Sequence, residues 1–208
     1  MKKEYKTKIN KIENDWIDIK NKCRTTVNKG HSDIGATSSF KRALIKSEHS
    51  PIRLLKINWI WEGIKSWVSV HYARHHVGIE KWISTQRSDR TGENRDDIPQ
   101  GALVNFEAEA TAQSAINMAR CRLCFQASPE TRSLMEDYKI TLKDFEPELS
   151  HFLVPNCIYR CGCPEFKPCK FFNKFLDHLQ ENNINVDILD IDERYDAYNE
   201  YFYRNKGE

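Results

Sequence analysis

The sequence lacks both a large net charge and any long apolar run. Its 32 lysines and arginines nearly balance its 30 aspartates and glutamates, which leaves a formal net charge of +2. So neutral a protein is not expected to bind nucleic acid or membrane surfaces in general, and any basic site must be local. No apolar stretch approaches the roughly 20 residues that span a bilayer, so we expect no membrane partner.

The first residues also lack the apolar segment that follows the positive charges of a secretory signal peptide. Disulfide frameworks usually contain an even number of cysteines, whereas this sequence has seven. These features together predict a cytoplasmic protein with reduced thiols.

The chain is long enough for one sizeable apolar core, and its composition changes near residue 150. We therefore divide it into a main part, 1–150, and a cysteine- and proline-rich extension with a terminal helix, 151–208. Residues 52–61 are rich in Ile and Trp, which favours a half-buried strand. The predicted fold class is α+β, with a mixed β-sheet, long helices and a small Cys-rich C-terminal extension.

Apolar spacing and Gly or Pro boundaries predict the remaining elements. Residues 1–22 are predicted to form a helix or a loosely held arm, residues 23–39 a loop, and residues 82–90 an extended or looped segment. The predicted helices cover residues 40–49, 64–76, 104–127, 130–142, 171–183 and 191–205. The clearest of them is 104–127, which is rich in Ala, Glu and Gln and contains no Gly or Pro.

A basic segment runs from His71 to Arg95 and combines four arginines with three histidines. The planar fork of arginine fits phosphate or carboxylate through two hydrogen bonds, which suits a phosphorylated ligand. Two simpler interpretations stay open: a solvated cationic loop, or basic groups that complement the negative end of a helix dipole.

Three blocks of residues connect this segment to a known enzyme family. The first is Arg74-His75-His76, and the second is TQRSDRT at residues 85–91; they correspond to the motifs R-H-R and N-E-x-S-x-R-Y. The third combines Arg95, four residues before Pro99, with the pair Asn117 and Arg122. Over about residues 47–132, the sequence resembles the flavin-dependent thymidylate synthases.

This resemblance implies an enzyme that converts dUMP to dTMP. The cofactors would be FAD, NADPH as reductant and methylenetetrahydrofolate as carbon donor, and the chemistry would need none of the cysteines. The family assembles its sites in homotetramers, so we expect a homo-oligomer, with nucleic acid not a partner. A compact, divergent member of phage type is implied, in the cytoplasm of a bacterium or of a phage-infected cell.

The resemblance also implies roles for individual residues. Arg122 would be the catalytic residue, a permanent cation against the uracil ring that favours ionisation at N3. The residues that would hold the flavin are Ser50, Arg74, His75, His76 and Asn117. The residues that would bind the nucleotide are His71, Arg74, Gln86, Arg87, Ser88, Arg90, Arg95 and Arg122, with the phosphate on Arg90 and Arg95.

The sequence departs from the family pattern at several of these positions. His76 replaces an arginine, Thr85-Gln86 replaces Asn-Glu, and Thr91 replaces a tyrosine. Glu48 stands where a histidine usually precedes the Ser-Pro turn, and the connection between Arg90 and Arg95 is short. Flavin and nucleotide binding survive these changes better than the exact reaction does. A sibling flavin-dependent pyrimidine nucleotide methylase or hydroxymethylase therefore stays an alternative.

A cluster of cysteines in the extension supports a different class of protein. Cys157, Cys161, Cys163 and Cys169 lie within 13 residues, but without the paired C-x2-C spacing of ordinary structural zinc sites. Reduced cysteines packed under a Pro-rich turn are favoured, and whether the cluster binds a metal stays open. A non-enzymatic nucleic-acid or nucleotide binder with a zinc-binding cluster is the corresponding alternative.

Overall fold

Residues 5–206 of this computed structural model are described, and they form one four-stranded sheet surrounded by helices. The strands are β1 (Lys6–Glu13), β2 (Lys56–Lys65), β3 (Ile79–Ile83) and β4 (Leu103–Thr111). The α-helices are α1 (Trp16–Thr25), α2 (Ser38–Lys46), α3 (Ser66–Ala73), α4 (Ser88–Thr91), α5 (Ala112–Arg122), α6 (Pro129–Lys143), α7 (Pro147–Phe152), α8 (Asn156–Tyr159), α9 (Phe171–Glu181) and α10 (Ile191–Arg204). Two short 3-10 helices, Ser50–Leu54 and Arg95–Asp97, complete the described chain.

The strand order is β1-β2-β4-β3, and every pairing is antiparallel. The predicted α+β class with long helices is confirmed, although the sheet that we expected to be mixed is antiparallel in all of its pairs. On the central strand β2, Ile57, Trp59 and Trp61 are fully buried and alternate with residues of the opposite face. These tryptophans fill the core, where the Trp61 ring lies 4.4 Å from that of Tyr72 on α3.

The predicted helix over residues 104–127 is wrong for its first half. Residues 103–111 form β4, and its buried side chains recur at every second residue: Val104, Phe106, Ala108 and Ala110. This period-two pattern prevails over the helix propensity of Ala and Glu because β4 is hydrogen-bonded to a strand on each side. The helix begins only at Ala112, after Thr111 accepts a hydrogen bond from the Ser114 amide.

The helix or arm predicted over residues 1–22 is also wrong for most of its length, with residues 1–4 outside the described part. Residues 6–13 form β1, which pairs with β2 along almost its whole length. The strand contains few apolar residues because it lies at the edge of the sheet, and its position depends on backbone hydrogen bonds to β2. A helix, α1, follows only after the Asp15 side chain has capped the amides of Ile17 and Asp18.

The helix predicted over residues 64–76 is shorter in the structure. Ile64 and Lys65 complete β2, and α3 ends at Ala73. The residues Arg74 to His76 therefore leave the helix and enter the loop before β3. The strand predicted at 52–61 begins later, since residues 50–54 form a 3-10 helix. The predicted helices over 40–49, 130–142, 171–183 and 191–205 are confirmed within a few residues as α2, α6, α9 and α10.

The C-terminal helices share the core of the sheet domain. Tyr198 and Phe202 of α10 belong to the same buried cluster as Leu142 of α6. Lys139 on α6 is fully buried, and its Nζ donates to the Ser150 carbonyl at 2.6 Å and to Asn199 Oδ1 at 2.7 Å. Within residues 5–206, every helix is too short or too polar to cross a membrane.

Candidate functional site

The end of α5 meets the loop after α3 at a small cluster of arginine and histidine side chains. Arg122, the last residue of α5, donates from Nε to His75 Nε2 at 2.9 Å and from its guanidinium to the His71 carbonyl at 2.5 Å. Because a guanidinium can only donate, the Nε2 atom of His75 must be the acceptor. His75 is therefore neutral, carries its proton on Nδ1, and can donate a hydrogen bond from that atom.

The electrostatics of the cluster keep its histidines uncharged. Burial, and then the positive charges of Arg122 and Lys81, lower the pKa of His75 to about 4. Burial and the charges of Arg122 and Arg74 also lower the pKa of His71. The cluster therefore offers the fixed charges of arginine and neutral hydrogen-bond donors, which together suit an anionic or acceptor-rich ligand.

The start of α6 supports the other side of this cluster. Thr131 is fully buried, and its Oγ1 is hydrogen-bonded to His71 Nδ1 at 2.8 Å, while its carbonyl accepts from the Tyr72 hydroxyl at 2.6 Å. Lys81 on β3 donates to the His75 carbonyl. The sequence interpretation missed both residues. Lys81 could have been suspected from its place in the basic segment, but nothing in the sequence connects Thr131 to His71.

The loop between His75 and β3 closes on the first turn of α5. Gly78 has a φ of +68°, and its carbonyl accepts from the Thr111 amide at 3.1 Å. Ser114 donates from its hydroxyl to the Val77 carbonyl at 2.7 Å. A Cβ atom at Gly78 would clash with Ser114 Oγ, so the close approach of this loop to α5 requires glycine.

The predicted flavin residues Ser50 and Asn117 make no hydrogen bond or ion pair with the cluster around Arg122 within residues 5–206. Both are exposed, Ser50 at the start of the 3-10 helix that packs against α5 and Asn117 in the middle of α5. Asn117 Oδ1 accepts hydrogen bonds from Gln113 and Arg120, which both also contact the carboxylate of Glu48. The structure thus places the unusual residue Glu48 beside a predicted flavin ligand.

The predicted phosphate segment lies apart from Arg122. Gln86 accepts from the Ser66 hydroxyl at the beginning of α3, whereas Arg122 contacts the opposite end of that helix. Arg87, Ser88, Arg90 and Arg95 are all exposed. In residues 5–206, no hydrogen bond or ion pair joins this segment to the cluster around Arg122, so the two groups of predicted ligands are not brought into contact.

Within the segment, the arginines differ in how far they are already paired. Arg87 forms two hydrogen bonds with Asp89, at 2.9 and 2.8 Å, so its fork is occupied. Arg90 makes only a loose ion pair with the same carboxylate, at 3.8 Å. The Arg95 backbone amide donates to Ser88 Oγ at 2.9 Å, which folds the segment into one turn, and no hydrogen bond or ion pair within residues 5–206 occupies the Arg95 guanidinium. Arg90 and Arg95 are thus freer than Arg87 to bind a phosphate.

Solved structures with a similar fold include the flavin-dependent thymidylate synthase ThyX of Helicobacter pylori in complex with FAD and dUMP. That chain is 12% identical, with a TM-score of 0.58, and the match covers 72% of this chain and 99% of that one. A second structure described as ThyX from Helicobacter pylori with FAD and dUMP is 11% identical, with the same TM-score of 0.58 and the same coverage of 72% and 99%. The protein has the ThyX fold.

A third similar structure is the UMP/dUMP methylase PolB from Streptomyces cacaoi, bound with 5-Br dUMP. It is 11% identical, with a TM-score of 0.55, and the match covers 71% of this chain and 94% of that one. No family model matches the sequence, and no curated protein matches it either. At such low identity these likenesses concern the fold, and the roles of individual residues stay predictions.

The cysteines do not form a ready metal site. Cys157 is buried, and its burial raises its pKa to about 12, with smaller contributions from Cys124, Cys163 and Cys169. Cys161 points elsewhere, towards the Ile188 carbonyl at 3.4 Å. Among residues 5–206, no group of three or more His, Cys, Asp or Glu side chains is arranged to hold a metal ion.

The low pKa of His75 predicts a loss of stability in mild acid. His151, on α7 and in contact with Asn199 of α10, has a pKa of about 4 as well, chiefly because it is buried. In the unfolded chain a histidine takes up a proton near pH 6.5, whereas His75 and His151 in the folded protein stay neutral until the pH approaches 4. Their contribution to the free energy of unfolding is therefore complete above about pH 6.5 and is lost as the pH falls towards 4. Urea unfolding at pH 7 and at pH 4.5 measures the loss.

His75→Gln and His151→Gln should each make the stability less dependent on pH across this range. The exposed His31 provides a matched control, since His31→Gln should leave the pH dependence as it is in the wild type. An unchanged acid response in both test variants would contradict the assignment of His75 and His151 as groups that are neutral when folded.

Proposed function

We propose that the protein is an FAD-dependent thymidylate synthase, which converts dUMP to dTMP with methylenetetrahydrofolate as carbon donor and NADPH as reductant. The observation that supports this most is the position of Arg122, which is held by His75 and His71 where two motif blocks meet. The ThyX fold places this arrangement in a scaffold whose solved examples include complexes with FAD and dUMP.

The donors around the cluster fit a flavin. His75 can donate from Nδ1, Asn117 from its free amide group, and the exposed Arg74 has no carboxylate partner within residues 5–206. Ser50 and His76 are exposed as well. FAD carries ring carbonyls and nitrogens that accept hydrogen bonds, and an anionic diphosphate, so these residues would hold it. When bound, the reduced flavin would supply the hydride that completes the new methyl group.

Arg122 would act on the pyrimidine. Its guanidinium is half-buried and keeps its positive charge, so it would stabilise the anion that forms when uracil loses the proton at N3. His75 and the His71 carbonyl hold two sides of the guanidinium and leave the remaining donors for the ring. The negative charge would make the ring carbon nucleophilic without a cysteine.

The phosphate of dUMP is assigned to Arg90 and Arg95, with the Ser88 region beside them. Arg90→Ala is expected to weaken dUMP binding by about tenfold or more, because one charge-assisted hydrogen bond is lost. Isothermal titration calorimetry with dUMP measures this, and deoxyuridine is the control ligand because it lacks the phosphate. Equal losses for both ligands would show that Arg90 does not bind the phosphate.

Gln86 and Arg122 contact opposite ends of α3, and this separation supports an assembled site. Trp82, Ile83 and Leu103 are exposed around the β3 edge of the sheet, next to the segment. We propose that the enzyme is a cytoplasmic homotetramer in which one subunit's phosphate segment completes the site of another. Residues 1–150 would form the catalytic domain, with 151–208 as its extension.

The visible absorption spectrum of the freshly purified protein is the decisive experiment. A flavin spectrum that bleaches with NADPH and changes on adding dUMP is the expected result. Formation of dTMP in the presence of methylenetetrahydrofolate then establishes the reaction. A colourless protein that also fails to bind added FAD would contradict the proposed function.

A sibling pyrimidine nucleotide methylase is the second candidate, favoured by the structural likeness to the UMP/dUMP methylase PolB. The replacements at Thr85, Gln86 and Thr91 alter the segment that would contact the nucleotide. Product analysis by fragment mass spectrometry, with UMP and dUMP supplied in separate reactions, distinguishes the two. The base fragment separates a methyl from a hydroxymethyl product, which differ by one oxygen, and the separate reactions show which nucleotide is the acceptor.

A further inference from the structure

Glu48 connects the end of α2 to the middle of α5. It follows α2 in the left-handed backbone region, with a φ of +49°. Its carboxylate forms an ion pair with Arg120 and accepts a hydrogen bond from Gln113 Nε2 at 2.5 Å. Glu48 therefore contacts two side chains of α5 that lie 65 and 72 residues away in the sequence.

This ion pair is well shielded from water. The Arg120 side chain is 14% exposed and that of Glu48 is 25% exposed. The guanidinium of Arg120 also lies 3.5 Å from the centre of the Tyr159 ring, which covers one of its faces. Breaking the pair would leave an uncompensated charge in a largely buried position, so its geometry is expected to persist.

The same network determines which way the Asn117 carboxamide points. A carboxylate only accepts hydrogen bonds, so the Gln113 atom that faces Glu48 must be the NH2 group. A guanidinium only donates, so the Asn117 atom 3.3 Å from Arg120 must be the oxygen. Gln113 Nε2 lies 3.4 Å from that same oxygen and agrees with this orientation.

The consequence is a donor of fixed direction on the surface. With its oxygen held by Gln113 and Arg120, Asn117 turns its NH2 group away from both. Asn117 is exposed, so this group is available to a ligand carbonyl or ring nitrogen. Without the network, an exposed asparagine amide could rotate and present either its oxygen or its nitrogen.

We propose that Glu48 is a positioning residue, which acts through Arg120 and Gln113 to hold Asn117 as a hydrogen-bond donor towards the bound ligand. For a flavin ligand this rests on the proposed function. Glu48 would not touch the flavin itself, and its effect on binding would pass entirely through Asn117.

A double-mutant cycle on FAD affinity tests this directly. Glu48→Gln preserves the shape of the side chain but removes its charge, and it is expected to weaken FAD binding by about tenfold. In an Asn117→Ala background the same change should have no further effect, because the side chain through which it acts is gone. Equal factors in the two backgrounds would overturn the proposal.

Thermal unfolding of each variant separates positioning from a loss of structure. Should Glu48→Gln fail to fold, Glu48→Asn replaces it, since asparagine tolerates the left-handed backbone and is also uncharged. An effect on FAD affinity that appears only together with a lowered melting temperature, in both variants, would indicate a structural role and not a positioning one.

A ligand-free measurement keeps the proposal testable if the wild type binds no FAD. The carboxamide signals of Asn117 are observed in protein labelled with [15N]asparagine, and are assigned by their loss in Asn117→Ala. We expect Glu48→Gln to shift these signals. Unchanged signals would overturn the positioning role, whereas shifted signals in a protein that binds no flavin would retain it and reject only the proposed function.

Discussion

Replacing Arg122 with alanine is expected to lower the rate of dUMP methylation by about 10²–10³-fold while the protein remains folded. The guanidinium would stabilise negative charge on the pyrimidine ring in the transition state, and alanine supplies neither charge nor donor. The measured quantity is kcat for dTMP formation with saturating cofactors. Arg122→Lys should recover only part of the rate, because an ammonium keeps the charge but not the planar fork.

The fold should tolerate this substitution. Arg122 is at the last position of α5, and its loss removes hydrogen bonds to His75 and to the His71 carbonyl. A cost of about 1–3 kcal/mol in the free energy of unfolding is expected. Arg42→Ala is a matched control, since Arg42 is also half-buried but pairs with Asp196 on α10. Full activity of Arg122→Ala would contradict the assignment of Arg122 as the group that stabilises negative charge on the pyrimidine ring.

The same variant has a signature that needs no turnover. The positive charge of Arg122 contributes to lowering the pKa of both His75 and His71, although burial is the larger cause in each. In Arg122→Ala both pKa values should rise, as followed by histidine NMR signals during an acid titration. Unchanged pKa values would contradict the contact geometry of the cluster itself, whatever reaction the protein performs.

Replacing Gly78 with alanine is expected to lower the free energy of unfolding by about 2–3 kcal/mol. The left-handed backbone costs an L-residue about 1–2 kcal/mol. The new Cβ would also displace Ser114 Oγ from the Val77 carbonyl, and a lost hydrogen bond costs about 1 kcal/mol more. Chemical denaturation measures the total.

Two further variants separate these causes. Gly92 has a φ of +77°, but a Cβ there would meet no atom within 4 Å, so Gly92→Ala should show the backbone cost alone. Ser114→Ala removes the hydroxyl that the new Cβ would meet. In a Ser114→Ala background, Gly78→Ala should therefore lower the free energy of unfolding by little more than the backbone cost. A Gly78→Ala loss no larger than that of Gly92→Ala would mean that Ser114 simply rotates away.

Gly78→Ala should also impair the site. The loop from Arg74 to Gly78 carries His75, and its position depends on the contacts that Val77 and Gly78 make with α5. We therefore expect weaker FAD binding in this variant, with partial recovery in the double variant Gly78→Ala/Ser114→Ala.

The candidate site illustrates what can be predicted from the sequence. The motif residues Arg74, His75 and Arg122 stand in the order typical of the flavin-dependent thymidylate synthases, and the structure brings them together. The contact between Arg122 and His75 joins residues 47 positions apart, so only the fold could show it. The support from Thr131 and the network of Glu48 were not foreseen, because no local pattern reports a hydrogen bond between distant side chains.

Local spacing is sufficient to predict α6 and α10, and the near balance of opposite charges can be read from the composition. The strands over residues 103–111 and 6–13 could be recognised only from their pairing in the folded chain. Helices satisfy their backbone hydrogen bonds within one segment, so their signals are local. Strands obtain theirs from partners elsewhere in the chain, and for β4 the pairing with β2 and β3 outweighed a helical composition.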